Sequence, residues 1–292
     1  MKTVIPYFLV LLAAVLWGTT GTAQTFLPQS AQPLTIGAIR LAIGGFSLLL
    51  VMILMKKIDF RTWPYLPTII AALCMALFQP LFFTSVRVTG IAIGTVVAIG
   101  SAPIFSGLIE WLFLKTKPSR AWVMATALSV IGCSLLFINK DALTVNPFGV
   151  ILSLIAGFVF AIYTIVSKGI LTKVEAIPAV AMTFSFSAIM LFPFLLIFNS
   201  SWILEPSNSL TILYLGFMTT SAAYILFLSG LQKVPSSSAV TLSLGEPLTA
   251  AILSVIVVGE VLSPISWIGV FLLLGGILVL TFSGRKRAKE FE

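Results

Sequence analysis

Residues 237–281 read SSAVTLSLGEPLTAAILSVIVVGEVLSPISWIGVFLLLGGILVLT. Two apolar runs, each of about 20 residues, flank a short break at Gly259-Glu260 and Ser263-Pro264. A run of that length spans the hydrocarbon core of a bilayer as a helix. The runs are continuous rather than alternating, which favours helices over the strands of a closed barrel. Within the first run stands one carboxylate, Glu246, followed by Pro247. The same register recurs about 144 residues earlier, in residues 93–137. There Pro103 falls on Pro247, Ser119 on Ser263 and Gly132 on Gly276, and Ala102-Pro103-Ile104 stands in place of Glu246-Pro247-Leu248. Apolar helices look alike by composition, so the shared Pro and Gly positions carry the comparison.

Extending the reading to the whole chain gives ten spans, at approximately 7–26, 34–55, 65–85, 91–114, 121–138, 147–168, 176–198, 209–231, 236–258 and 264–283. Short polar or Pro-containing breaks such as Lys56-Lys57-Ile58-Asp59 and Asn139-Lys140-Asp141 separate them and leave no room for a soluble domain. The run from Tyr7 to Phe26 is long for a signal-peptide core and has a loose counterpart in the second half, so it reads as the first helix. Composition agrees: 59% of the residues are hydrophobic and only 9% charged, with a mean hydropathy of +1.14. Soluble domains carry roughly 25% charged residues. Histidine is absent, and Cys74 and Cys133 lie singly inside apolar runs. No metal site, redox site or other cofactor is expected.

The net charge of +8 does not point to nucleic acid, because the basic residues sit between apolar runs rather than in a patch interleaved with aromatics. They orient the chain instead. With the N-terminus inside, 14 of the 17 Lys and Arg fall in cytoplasmic segments, while Arg87 and Lys140 fall outside and Arg40 lies within a helix. Both termini are therefore expected in the cytoplasm of a multi-pass protein of the cell (inner or plasma) membrane. An odd number of spans per half turns the second half over. The expectation is an all-α membrane protein of ten transmembrane helices, built as two inverted five-helix repeats, residues 1–141 and 142–292.

Three strings carry a family resemblance: Ile39-Arg40-Leu41; Ser238-Ala239-Val240 with Leu244-Gly245-Glu246-Pro247; and Val258-Gly259-Glu260 followed by Ser263, Gly269 and Gly275-Gly276. Together with Trp17-Gly18, their order and spacing resemble the drug/metabolite transporter superfamily in its EamA-type branch, over nearly the whole chain. The first repeat departs from the pattern, with Leu114-Lys115-Thr116 where a Gly-Glu pair is usual and Ala102 opposite Glu246. The resemblance implies export, or less often uptake, of small metabolites such as amino acids through a cavity lined by both halves.

Glu246 lies about ten residues into its span, near the bilayer centre. A carboxylate there costs about 2.5 kcal/mol or more, so it must face a cavity or a partner, or be protonated. Pro247 lacks an N–H and frees the carbonyl of Ser243. Ser236, Ala239, Ser243, Glu246, Ala250 and Ser254 share one small, polar face, which fits either a substrate path or a helix-packing surface. Arg40 reads as an intramembrane charge that snorkels, pairs structurally or meets an anionic group. Gln79, before Pro80, suits either a polar substrate or an interhelical hydrogen bond across a kink. Trp17 and Tyr163 lie at similar depth in the first helices of the two halves, too deep for interfacial anchors, and read as cavity walls. Tyr224 and Ser101, the latter beside Pro103, are further pathway candidates. Glu110 reads as solvated or locally paired with Lys115, and Glu260 as structural.

No catalytic set or phosphate loop occurs, so the chain is not read as an enzyme. The leading function is a secondary transporter exporting a small metabolite by alternating access. The alternatives are efflux of hydrophobic cations and, further off, a non-transporting membrane scaffold or sensor. The partners expected are a small-molecule substrate and the lipid bilayer, with protons as a candidate coupling ion and a homodimer as a candidate assembly.

Overall fold

The fold is taken from a computed structural model, which describes residues 4–28, 30–89, 91–137, 146–198, 201–259 and 261–289. The Asn139-Lys140-Asp141 break and Glu260 lie outside the described residues. Seven long helices come first: α1 (Ile5–Gln24), α2 (Pro33–Leu54), α3 (Tyr65–Thr89), α4 (Ile91–Leu112), α5 (Arg120–Phe137), α6 (Pro147–Ile170) and α7 (Ala176–Ile197). Next, α8 (Pro206–Gly216) and α9 (Ala223–Leu231) are joined by a π turn, Phe217–Ala222. Then α10 (Ser236–Leu242) and α11 (Gly245–Leu253) run into a second π turn, Ser254–Val258, before α12 (Pro264–Lys289). Among the described residues there is no strand. Among the described residues, nine helical stretches are long and apolar enough to cross a membrane, and Arg120–Leu136 is a shorter apolar helix.

Local chemistry sets the helix starts. Proline occupies the first positions of α1, α2, α6 and α8, where its missing N–H costs nothing. The Asn146 side chain caps α6 by accepting from the Phe148 N–H at 3.0 Å. The π turn between α8 and α9 has its cause in three hydroxyls: Thr219 and Thr220 both donate to the Leu215 carbonyl, and Ser221 donates to that of Gly216. Bonds reaching back four and five residues widen the turn. The apolar runs make each of these segments one span; the α8–α9 segment stays helical through its π turn, while Ser243-Leu244 interrupts the α10–α11 segment.

α1 runs opposite to the α8–α9 segment, α3 opposite to α6, and α5 opposite to α12. The side where α1 begins is called the near side, and the side where it ends the far side. Pro6 at the start of α1 lies against Gly230 near the end of α9, while Thr19 near its far end meets the Tyr214 hydroxyl at 2.7 Å. The principal packing pairs are α3 with α6, α5 with α12, α2 with α7, α4 with α6, and α1 with both α9 and α11. One apolar core of buried residues runs through the bundle, from Val10 on α1 to Leu280 on α12. A second, smaller cluster around Trp202 and Leu215 sits at the far side, and a third around Met52 and Trp63 at the near side. Large apolar side chains such as Phe113, Leu196, Ile256 and Phe271 face outward, as lipid contact requires.

Candidate functional site

A cavity of about 300 Å³ opens in the far-side half of the bundle. Its walls come from the far-side halves of α1, α3 and α4, from Ser243 and the first turns of α11, and from single residues of α2, α6 and α9. That volume is at the lower end of small-molecule sites. The lining is largely apolar and aromatic, with Phe78, Phe82 and Phe83 from α3 and Phe160 from α6. Trp17 anchors one wall, with ring centroids 4.7 Å from Tyr224, 5.2 Å from Phe227 and 6.5 Å from Phe160.

Into this apolar box project one cation and one carboxylate. Arg40 reaches it from α2, and Glu246 from the first turn of α11. Each feels the charge of the other, yet among the described residues they form no ion pair, and the Arg40 Nε has no protein partner. Gln79 is fully buried at the cavity wall, wedged against Gly37 on α2, and neither its amide nitrogen nor its oxygen finds a protein partner. A Cβ on Gly37 would lie 2.7 Å from the Gln79 Oε1, so only glycine leaves room for this amide. The Trp17 Nε1 is buried and unpartnered as well. Buried polar atoms almost always have partners, so this group of orphaned donors and acceptors around one cavity suits a polar ligand.

The break that places Glu246 is local. α10 ends at Leu242, the Glu246 N–H bonds the Ser243 carbonyl at 2.9 Å, and α11 restarts at Gly245. Pro247 cannot donate to the Ser243 carbonyl one turn back, and the Glu246 N–H takes that acceptor instead of leaving it free. The break turns Ser243, Glu246 and Ala250 towards the cavity.

Of the residues singled out in the sequence, Trp17, Arg40, Gln79, Tyr224, Ser243, Glu246 and Pro247 lie at this cavity. Ser101 and Tyr163 do not. The Ser101 hydroxyl turns to the backbone of Gly157 on α6 and donates to the Ala98 carbonyl at 3.3 Å. Tyr163 is buried behind the wall, 5.9 Å from Phe160 and 6.0 Å from Tyr224 between centroids. Phe160, one turn earlier, takes the wall position instead. Pro103 is buried on α4, beside the cavity residue Ala102. Arg40 faces the cavity rather than the interface. Glu110 is neither solvated nor paired with Lys115: its carboxylate is buried and holds the start of α10. Sequence reading missed Phe78, Phe82, Phe83 and Phe160, because one phenylalanine among 23 gives no signal of its own.

The fold and this site define a polytopic membrane transporter. The profile of the EamA-like transporter family matches residues 4–138 and again residues 147–282. The chain belongs to that family. It is 47% identical to the uncharacterized transporter YwfM of Bacillus subtilis over 98% of this chain and 97% of the relative. It is 28% identical to the uncharacterized inner membrane transporter YicL of Salmonella typhimurium, over 96% of each chain. Protein PecM of Dickeya dadantii is 29% identical over 96% of this chain and 95% of its own length. A crystal structure with 17% identity superposes with a TM-score of 0.83, covering 96% of this chain and 98% of that one, and shares the fold.

Proposed function

We propose that this chain is a secondary transporter that exports small metabolites such as amino acids across the cell membrane by alternating access. The carrying observation is the pairing of Arg40 and Glu246 in one apolar cavity without an ion pair between them. Unneutralised charges of opposite sign in a low-dielectric site favour a ligand that brings both counter-charges. An amino acid does so: its carboxylate suits Arg40 and the Gln79 amide, its ammonium suits Glu246, and the aromatic walls suit its side chain. In this reading the ten spans form two inverted repeats, and the two successive profile matches support that division.

Glu246 is also the group through which a proton gradient could drive export, because substrate ammonium and proton would compete for one carboxylate. A second reading, efflux of hydrophobic cations, draws on the cluster of Trp17, Tyr224 and Phe160 beside Glu246. Arg40 opposes it.

A solute screen on purified protein in liposomes tests both. Zwitterionic amino acids are expected to exchange, while their methyl esters and simple organic cations are not. Glu246→Gln is expected to keep exchange but lose movement driven by a pH gradient. Transport of cations in preference to zwitterions would replace the first reading with the second. A Glu246→Gln protein that still concentrates solute would remove Glu246 from coupling.

A further inference from the structure

The near-side half of the bundle is closed by a segment that the cavity does not use. All seven residues of α10 are buried, none more than 7% exposed. It packs against α1, α4, α5, α6, α9 and α12, and so stands across the path from the cavity to the near side. Two charged side chains from other helices hold its first residues. Glu110, near the end of α4, accepts from the Ser236 N–H at 2.6 Å and from the Ser237 hydroxyl. Lys168, near the end of α6, donates to the carbonyl of Val234, two residues before α10 begins. The two charges also act on each other. At its other end α10 stops at the Ser243-Leu244 break, next to Glu246.

We propose that α10 is the moving part of a near-side gate and that Glu110 and Lys168 are its latch. This rests on the alternating-access reading above. With the latch closed, the cavity is reached from the far side only. Opening requires α10 to leave its seat, and then Glu110 must release two hydrogen bonds. Hydrogen bonds to a charged acceptor are stronger than neutral ones, so they hold the gate shut. Glu110 stands two residues before the end of α4, and Lys168 two before the end of α6, so both can rehydrate at the membrane surface once released. That lowers the cost of opening and makes the clamp reversible, unlike a buried ion pair far from water. The break at Ser243-Leu244 gives α10 a hinge that need not carry α11 with it. A tilt of α10 there would alter the backbone next to Glu246, linking the gate to the site.

Thiol accessibility tests the latch without any substrate. In protein whose buried Cys74 and Cys133 are replaced by Ala, Ser238→Cys reports the near-side half and Thr20→Cys the cavity. Loss of the latch shifts the balance of the two states, and Glu110→Ala is expected to raise near-side labelling of Ser238→Cys by about tenfold and to slow labelling of Thr20→Cys. Lys168→Met should act in the same direction. Unchanged labelling of both reporters in folded Glu110→Ala protein overturns the proposal. Should that variant not fold, the pair Glu110→Cys with Ser237→Cys decides. Oxidation should cross-link it, stop transport reversibly and leave Thr20→Cys labelling as before. A pair that does not cross-link, or a cross-linked protein that still transports, also overturns the latch. A shifted labelling pattern in protein that moves no solute would leave the gate standing and count against the transport reading instead.

Discussion

Gln79 spends stability on an amide with no protein partner. A buried unsatisfied polar group costs about 1–3 kcal/mol, and replacing it by an apolar group of similar shape removes that cost. Gln79→Leu is therefore expected to leave thermal stability unchanged or to raise it by about 1 kcal/mol, while weakening solute binding roughly tenfold. Thermal unfolding and binding measured on the same preparation check this. A clear fall in stability would make the amide a packing element and remove it from the site. Gln79, Arg40 and Glu246 could be picked out in the sequence because a polar group inside an apolar run needs a reason. The phenylalanine walls could not, since cavity-facing and lipid-facing phenylalanines are identical in composition. Tyr163 and Phe160 stand three residues apart on one helix face, and depth alone did not decide which reaches the cavity. Glu110 was misread because its partners are 126 and 127 residues away, while Lys115 is close in sequence only.

α5 and α12 show how two helices approach without large side chains. A Cβ on Gly132 would lie 2.7 Å from the Gly269 carbonyl, and one on Gly269 would lie 2.6 Å from that of Gly132. Backbone faces backbone here, as at small-residue crossings in membranes generally. Gly132→Ala is expected to push the helices apart and destabilise the fold by about 1–3 kcal/mol. Gly275→Ala, on α12 with nothing within 4 Å, serves as the control and should leave stability unchanged or slightly higher. Equal melting temperatures for the two variants would contradict the crossing. Helix existence was legible at this scale, because long apolar runs allow little else in a bilayer. The local changes of helix form were not. The π turn at Phe217–Ala222 depends on hydroxyls choosing carbonyls four and five residues back, and the same Thr and Ser residues also fit a regular helix.

For the whole molecule, the packing pairs bear on the proposed inverted repeat. Displacing the first half onto the second sends α3 with α6 onto the α8–α9 segment with α1, and α4 with α6 onto the α10–α11 segment with α1; both counterparts occur, and α2 with α7 and α5 with α12 map onto themselves. The proposed repeat, with halves related by a two-fold axis in the membrane plane, requires each half to cross an odd number of times. On the proposed topology, charge sets the direction across the bilayer. The segments assigned to the cytoplasm hold 14 of the 17 Lys and Arg, and the latch groups Glu110 and Lys168 lie on that same near side. Retention of positive charge on the cytoplasmic face acts through short loops, and every loop here is short. A reporter fused after residue 292 is expected to read cytoplasmic, and one inserted after residue 141, between α5 and α6, to read outside. The second insertion is the stricter test, because only an odd number of spans in the first half puts residue 141 across the membrane from the N-terminus. If both reporters read cytoplasmic, the first half crosses an even number of times and the inverted repeat is wrong. If both readings are reversed, the repeat survives, but the cavity faces the cytoplasm and the latch closes the outer side.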